Sequence, residues 1–511
     1  MAVRTYDVPK LQELRFELEK EEEITVRLVA GTAEIFGYEL AKNAEYPFGN
    51  ECRGAIFTFD GAQLEISGNC STEYIAQESP VPSYLNLHLA LERQRIQALP
   101  PKQPNEDNDI EGKQEQEDDI ELISGSDGPR VMIVGEKSSG KSSLAKSLIN
   151  WAIKGGRVRR EKSSFLSSHA ATEDDEGEGG GRGVLLANLD VGNGGFSIPG
   201  SLSMGPIYSS IPTATPVHVF GTTYATGQPP FMDVKSGEMK PNVDTLARPI
   251  NALSFYYGHT TWSKNETYLT DVLLPKMGKL ARAKLEQGGE EGLWRGGMVI
   301  DAPTDLADKS RMVLLQKIVR WFGVNILLVV GNEKLNLDVK KAMSTNATVT
   351  VIRVPKNEGA SETEYQYRRR VQTMQIHSYF YGGPALSYGV LSPHQMSINF
   401  AYLKIYRVGS EVQAPKSALP ALSSRTSADL QLVEVDPNQT ENSASLMNMV
   451  IALLQAEDDA EESEKVSSAV LGYVHIAGVD VGKKKFTILS PVAGRLPRRT
   501  GIVGSLDYQD G

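Results

Sequence analysis

Short runs of β-branched and aromatic residues, punctuated by glycines, fill residues 10 to 95. Ile24 to Leu28, Ala55 to Phe59 and Gln63 to Ile66 alternate with turn residues Gly37, Gly49, Gly61 and Gly68, which predicts a small all-β domain. That region closes with an imperfectly amphipathic helix, Tyr84 to Gln97, where Leu85, Leu87, Leu89, Leu91 and Ile96 mix with charges. The pattern then vanishes. Residues 101 to 120, PKQPNEDNDIEGKQEQEDDI, are too polar and acidic to pack and read as a solvated linker.

Pattern returns at Arg130 to Val134, a β-branched strand, followed by a glycine and serine loop and by helical spacing from Ser143 to Ile153. Lys162 to Gly183 carries an acidic patch and a glycine run and reads as an inserted, disordered surface loop. Further apolar strands at Val184 to Leu189, Met298 to Ile300 and Asn325 to Val330, separated by helix-length segments, predict an α/β domain with a parallel sheet. After Tyr379 the runs Met396 to Val408, Leu430 to Val435, Val470 to Ile476 and Lys485 to Leu489 are strand-like, with a polar loop at Asn438 to Asn442, so the last domain is expected to be β-rich. The expected division is residues 1–100, an acidic linker 101–127, a central domain 128–383 with an insertion at about 160–183, and 384–511.

Composition narrows the classes. A chain of 511 residues predicts two to four domains, and 40% hydrophobic with 23% charged residues is ordinary for a soluble globular protein. No apolar run has the length to cross a bilayer, and the first twenty residues lack the apolar stretch of a signal peptide. With Cys52 and Cys70 the sole cysteines, a reducing compartment, cytosol or nucleus, is expected. A net charge of -11 argues against bulk electrostatic attraction to nucleic acid, leaving any RNA contact local.

The chemistry centres on Gly135-Glu136-Lys137-Ser138-Ser139-Gly140-Lys141-Ser142, which fits the P-loop pattern G-x-x-x-x-G-K-[ST] between a predicted strand and a predicted helix. Glycines let the backbone wrap phosphates with its N–H groups turned inward at the positive end of the helix. Lys141 adds a point charge and Ser142 a hydroxyl for Mg²⁺. The motif therefore predicts a purine nucleoside triphosphate with magnesium. Asp190, ending an apolar run, either holds the magnesium water shell and accepts a proton, or caps the next turn. Asp301 is a second carboxylate at a strand end, equally readable as part of an Asp-Ala-Pro-Thr turn. Arg368, Arg369 and Arg370 are either a phosphate clamp or a solvated helix face. The seven histidines show no metal-ligand spacing, so no metal beyond magnesium is expected.

Several segments in one order resemble the Clp-type polynucleotide 5′-hydroxyl kinases and pre-mRNA cleavage and polyadenylation factor subunits, including their fungal members. They are Phe16-Glu17-Leu18-Glu19 with Glu23, Gly31 to Gly37, Tyr84 to His88, the P-loop, Leu189-Asp190-Val191-Gly192 with Ser197 to Gly200, Tyr379 to Gly382, Leu391 to His394, and Lys404 to Gly409. The resemblance implies a central P-loop kinase-like parallel sheet flanked by an N-terminal β-sandwich and a smaller C-terminal β-rich α/β domain. It also implies ATP and Mg²⁺ as cofactors, the nucleus as location, and the other subunits of the cleavage factor as partners, with RNA as a further candidate. By motif position it nominates Glu23 and Arg53 of the N-terminal domain for contact with the purine, Ser138, Ser139, Gly140, Lys141, Ser142 and Ser143 for ATP, Ser142 and Asp190 for magnesium, and Lys141 and Asp190 for catalysis if the kinase is active.

Departures from the active kinases decide between readings. Where these carry a Thr-x-Gly-Trp clasp, this chain has Ala302-Pro303-Thr304-Asp305, without an aromatic platform. Where they carry lid arginines before Tyr-Phe-Tyr-Gly, it reads Gln375-Ile376-His377-Ser378, and Asn193 replaces the usual glutamine after Asp-Val-Gly. Phosphoryl transfer depends on positioning and charge neutralisation, so losing such arginines costs ~10³ or more in rate. The leading expectation is an ATP-binding scaffold of the cleavage factor, required for endonucleolytic cleavage in mRNA 3′-end formation; the alternatives are an active 5′-hydroxyl polynucleotide kinase and, less favoured, an NTPase switch.

Overall fold

Period-two alternation of buried and exposed residues turns the N-terminal region into two facing sheets in a computed structural model, which describes residues 3–49, 51–98, 127–167, 183–211, 219–220, 231–232, 239–240, 252–262, 266–287, 293–382, 391–409, 431–491 and 493–509. Val3–Val8, Ala62–Gly68, Ile24–Gly31 and Glu45–Phe48 form one sheet in that order, and Tyr38–Glu39, Glu34–Ile35, Arg53–Phe57, Glu13–Glu17 and Thr72–Ala76 the other. Val26, Leu64 and Ile66 from the first meet Leu14, Phe16 and Ile56 from the second, the inner faces of a β-sandwich. Strand Glu13–Glu17 escapes a pattern search because two of its buried positions are charged: Arg15 Nε donates to Glu13 Oε1 at 2.6 Å. Burial of both is tolerable because each is paired.

The helix Val81–Gln97 follows the sandwich in sequence but packs elsewhere. Tyr84, Leu87 and Leu91 join Leu144, Leu148 and Trp151 of the P-loop helix in one core. Tyr84 Oη donates to the Pro355 carbonyl at 2.7 Å, and the buried Arg95 Nε donates to the Gly296 carbonyl at 3.0 Å. Its buried face includes His88, Glu92 and Arg95, which is why its hydrophobic pattern reads as imperfect. The acidic stretch 101–120 lies outside the described residues.

The central sheet has the order Leu253–Tyr256, Ser201–Ile207, Val184–Asn188, Met298–Asp301, Arg130–Gly135, Ile326–Val330, Thr350–Val354. The last five are mutually parallel, and Ser201–Ile207 runs antiparallel to both of its neighbours, so the sheet is mixed. Alternate residues of Arg130–Gly135 serve opposite layers: Met132 and Val134 face the core that takes Leu274–Glu286, Met312–Phe322 and Glu333–Ala342, while Val131 and Ile133 face the P-loop helix. Burial on both faces makes these strands continuous apolar runs. The P-loop helix extends over Lys141–Ser167, so residues 162–167, expected as the start of a surface loop, are helical; nothing from Arg157 to Ser167 is proline or glycine to stop it. The rest of that expected loop, 168–182, lies outside the described residues.

Seven strands build the C-terminal sheet in the order His394–Asn399, Lys485–Ser490, Val470–Asp480, Met449–Leu454, Thr500–Asp507, Lys404–Gly409, Gln431–Glu434. The polar loop expected at Asn438 to Asn442 is in part the start of a short helix, Thr440–Leu446. One face of the sheet packs on Ile376, Tyr379 and Phe380 of helix Tyr365–Tyr381. At this seam Tyr473 Oη lies within 2.8 Å of Ser197 Oγ and 2.7 Å of Ser201 Oγ, and its backbone N–H donates to Tyr379 Oη at 2.9 Å.

The sandwich is fastened to the P-loop helix by a second polar seam. Buried Asn150 donates through Nδ2 to the carbonyls of Phe36 at 2.9 Å and Ile211 at 3.2 Å, Trp151 Nε1 donates to Glu34 Oε1 at 3.1 Å, and Lys154 pairs with Glu39. Burial pushes the Glu34 carboxyl up to about 7, with the Trp151 hydrogen bond and Lys154 opposing the shift. Folding thus favours its protonated form: the stabilisation is complete below pH 4.5, the ordinary value, and is lost as pH rises through about 7. Glu34→Gln, which stays neutral, should abolish this decline and raise stability at pH 8 by on the order of 2 kcal/mol. Denaturant titrations of both proteins at pH 5 and pH 8 check this.

Candidate nucleotide-binding site

The turn from Arg130–Gly135 into the P-loop helix is possible only with unusual backbone at two positions: Ser138 lies at φ 55° and Gly140 at φ 86°. At Gly140 a Cβ would have room, its nearest neighbour being Ala360 Cβ at 3.7 Å, so the backbone angle itself calls for glycine. At Gly135 crowding decides, because a Cβ would lie 2.8 Å from Ser139 Oγ. The loop holds its own lysine inward: Lys141 Nζ donates to the carbonyls of Gly135 at 3.0 Å and Glu136 at 2.9 Å. Burial lowers the Lys141 pKa, opposed by the nearby Asp301, Asp190 and Glu136.

Ser142 Oγ donates to Asp301 Oδ2 at 2.5 Å. Asp301 ends its strand beside the P-loop strand, with Ile133 as its register partner, and is 1% exposed. Burial pushes its carboxyl up to about 7, against the Ser142 bond and Lys141. Asp190 is half-buried; its Oδ1 accepts from the Gly192 N–H at 2.9 Å, so it caps the turn. It also lines the cavity above the P-loop, and the two readings of this residue coexist. Its pKa is raised by burial, with Lys141 opposing.

That cavity, about 750 Å³, is in the range that holds a drug-sized ligand or cofactor. Ser138 to Ser143, Asp190 and Arg53 all line it, whereas Glu23 does not. Strand alternation explains the miss: Ile24 points into the sandwich core, which leaves Glu23 exposed beside Gly49. The sandwich side of the cavity is formed instead by Arg15, Glu17, Tyr74 and Arg53. Arg53 pairs with Glu17 at 2.6 Å, donates to Ser361 Oγ at 2.8 Å and lies over the Tyr367 ring at 5.1 Å from its centre. The segment from Asn357 to Thr363 crosses the P-loop, and Thr363 N–H donates to Ser138 Oγ at 3.3 Å.

The three consecutive arginines are dispersed by helical geometry. Arg370 turns to the sandwich and pairs with Glu51 at 2.5 Å, Arg369 lines the cavity but pairs with Asp507 at 3.1 Å, and Arg368 stays exposed at the cavity wall. Successive residues of a helix point 100° apart, so a run cannot act as one clamp. Gln375, the first of the residues standing where the active kinases carry lid arginines, donates through Nε2 to the Asn193 carbonyl at 2.9 Å, and Gln372 Nε2, one turn earlier, donates to the Gly192 carbonyl at 2.9 Å. Both glutamines fix the loop after Asp190 without adding charge. Thr304 and Asp305 take the position of the missing aromatic clasp at the cavity wall.

The residues suit a nucleoside triphosphate with a divalent cation. The loop offers a left-handed glycine and the first amides of a long helix, which lack intrahelical acceptors. Ser139 Oγ and Asp301 Oδ1 are buried without a partner. Comparison with known proteins supplies the family. Residues 7–98 match the N-terminal β-sandwich domain of polyadenylation factor, 178–382 the mRNA cleavage and polyadenylation factor CLP1 P-loop, and 391–510 the pre-mRNA cleavage complex II protein Clp1.

This chain belongs to the CLP1 family of mRNA cleavage and polyadenylation factors.

The factor named CLP1 in Laccaria bicolor is 33% identical over 98% of this chain and 96% of its own length. A Danio rerio relative named polyribonucleotide 5′-hydroxyl-kinase Clp1 is 27% identical over 99% of this chain and 94% of its own. Among solved structures, a Clp1p–Pcf11p complex described for its extended interface and for ATP loss in a point mutant aligns with a TM-score of 0.71 over 99% of each chain at 23% identity, a likeness of fold. The match to the P-loop model begins after Gly135 to Ser142, on the far side of residues 162–177.

The structure implicates residues that carried no sequence signal, namely Tyr74, Ser361, Thr363 and Gln372. Each is an ordinary polar or aromatic residue until the fold brings it to the cavity. Because Arg53 ties the sandwich to the crossing segment, Arg53→Ala should speed amide hydrogen exchange across residues 357–363 and weaken ATP binding about tenfold. Exchange mass spectrometry and calorimetry read the two effects.

Proposed function

We propose that this chain is an ATP-binding scaffold subunit of the nuclear pre-mRNA cleavage factor, required for the endonucleolytic cut that precedes polyadenylation. The carrying observation is the cavity, whose walls come from the sandwich, the P-loop and the segment 357–363, while glutamines hold the loop after Asp190. ATP with Mg²⁺ supplies a polyanion and a cation that bridge these walls. Lys141 and the P-loop amides bind phosphate, Ser142 and Asp190 face the cation, and Arg53 lies where a base can stack. A ligand that binds only the assembled arrangement stabilises it by mass action. The partner is another cleavage-factor subunit; in the solved structural neighbour that role belongs to Pcf11p.

Weak or absent turnover follows from the charges. Of the arginine run only Arg368 remains beside the cavity without a carboxylate partner, and transition-state arginines contribute ~10³ or more to phosphoryl transfer. The 5′-hydroxyl kinase reading draws on the Danio rerio relative and on Asp190 beside Lys141. Incubation with labelled ATP and a 5′-hydroxyl oligoribonucleotide separates the two. The scaffold reading expects ATP, rather than ADP, to be recovered from denatured protein and no Lys141-dependent label transfer; robust transfer abolished in Lys141→Ala overturns it. Lys141→Ala should also weaken ATP binding roughly 10- to 100-fold and lower thermal stability and partner binding together, measured by calorimetry, melting curves and co-purification.

A further inference from the structure

Residues 481–499 hold six lysines and arginines and no aspartate or glutamate, in a chain whose net charge is -11. The fold sets this run against an exposed aromatic ring. The short helical turn Phe400–Tyr402 joins strand His394–Asn399 to strand Lys404–Gly409 and is pinned on both sides: the Phe400 N–H donates to the Lys484 carbonyl at 3.0 Å, and the Lys404 N–H to the Arg499 carbonyl at 2.7 Å. Four residues span at most about 14 Å, so the backbones of Lys484 and Arg499 flank Tyr402 closely. Phe400 packs on Phe486 with ring centres 4.5 Å apart, and Leu403 is buried in the same core. Tyr402, between them, is left outside at 58% exposure, with the Arg499 guanidinium 5.6 Å from the centre of its ring.

The cations around this ring are uncommitted. Lys404, Lys484, Lys485 and Arg499 are exposed, and none of their side chains pairs with a carboxylate among the described residues, whereas Lys483 pairs with Asp480 at 3.2 Å and Arg498 with Glu457 at 2.6 Å. The one further acid against this run, Asp458, accepts from the Arg499 N–H at 2.8 Å and the Thr500 hydroxyl at 3.3 Å. Like charges gathered on one surface repel, a cost that a bound polyanion removes. The ring adds a second requirement, because an aromatic face beside a guanidinium is a platform for a planar base. A duplex keeps its base faces inside the stack, and a run of acidic side chains has no such faces. Cations and ring together therefore fit a single-stranded nucleic acid. None of these residues lines the nucleotide cavity.

We propose that this surface of the C-terminal domain is a binding site for single-stranded RNA, with Tyr402 as the stacking platform and Lys404, Lys484, Lys485 and Arg499 as phosphate contacts. The choice of RNA rests on the cleavage-factor reading given under the proposed function. Binding here is local and not selective for sequence, because phosphates and base faces carry no base-edge pattern. It gives the scaffold a grip on the transcript that is separate from the P-loop.

The test is fluorescence anisotropy of a short labelled oligouridylate with the full chain over a series of salt concentrations. The logarithm of affinity should fall against the logarithm of salt with a slope of about -3, the value for four phosphate contacts on a single strand. Replacing both Lys484→Ala and Lys485→Ala should bring the slope to about -1.4. Tyr402→Ala should weaken binding about five- to a hundredfold with the slope unchanged, while Tyr402→Phe, which keeps the ring, stays within about twofold of the unsubstituted protein. All four positions are exposed or outside the cavity, so melting temperature and ATP affinity should not move. An unlabelled RNA duplex of the same length and polyglutamate should compete poorly. No binding by the unsubstituted protein, full affinity in Tyr402→Ala, or equal competition by the duplex or by polyglutamate overturns the proposal. Failure to bind ATP, with the RNA results as expected, overturns instead the ATP-scaffold reading and leaves this site standing.

Discussion

Everything in this molecule that bears on function converges on the first three turns of one helix. The helix beginning at Lys141 carries the P-loop at its N-terminus, buries Leu144, Leu148 and Trp151 in the core shared with helix Val81–Gln97, and presents Asn150 and Trp151 to the sandwich. A rigid element with three occupied sides couples them: moving the sandwich moves the wall of the nucleotide cavity. Close packing makes such a joint a matter of discrete arrangements rather than gradual sliding.

The two seams around the central sheet are built differently. Toward the C-terminal sheet, Tyr379, Phe380 and Tyr473 form an aromatic core with its hydroxyls satisfied by serines and backbone. Toward the sandwich the contacts are polar and include a carboxyl, Glu34, whose burial favours its neutral form. At the same seam Lys146, over the Phe36 ring at 6.0 Å from its centre, is 2% exposed with no hydrogen-bond partner, its pKa pushed down to about 7 by burial. Such groups weaken a seam when charged. The cavity lies at this polar seam, with walls from the sandwich and from the P-loop.

Charge is distributed unevenly around the cavity. Phosphate binding needs backbone amides and a lysine, which the P-loop provides. Helix Tyr365–Tyr381 engages the loop after Asp190 through Gln372, at the cavity wall, and through Gln375. Arg369 and Arg370 are engaged with Asp507 and Glu51 on neighbouring parts of the fold.

Local chemistry made the P-loop, the parallel strands and the β-rich ends legible, because a glycine turn needing positive φ and a strand buried on both faces each leave a signature within a few residues. Ser138 to Ser143 and Asp190 were nominated from such segments and Arg53 from the family resemblance, and all of them line one cavity. What pattern could not supply was pairing at a distance. Strand Glu13–Glu17 was hidden by a buried ion pair, Ser201–Ile207 by small residues that suit a mixed sheet, and the full length of the P-loop helix by charged residues that read as loop. Glu23, placed by motif position, is turned to solvent by strand alternation, while of Arg368 to Arg370, adjacent in sequence, two line the cavity and the third pairs with Glu51 of the sandwich. The sequence by itself determined that a phosphate-binding loop is present. Tertiary structure alone decided which carboxylate lies under Ser142 and which side chains close over the loop, since those contacts join residues more than a hundred positions apart whose proximity is set by sheet register and helix packing.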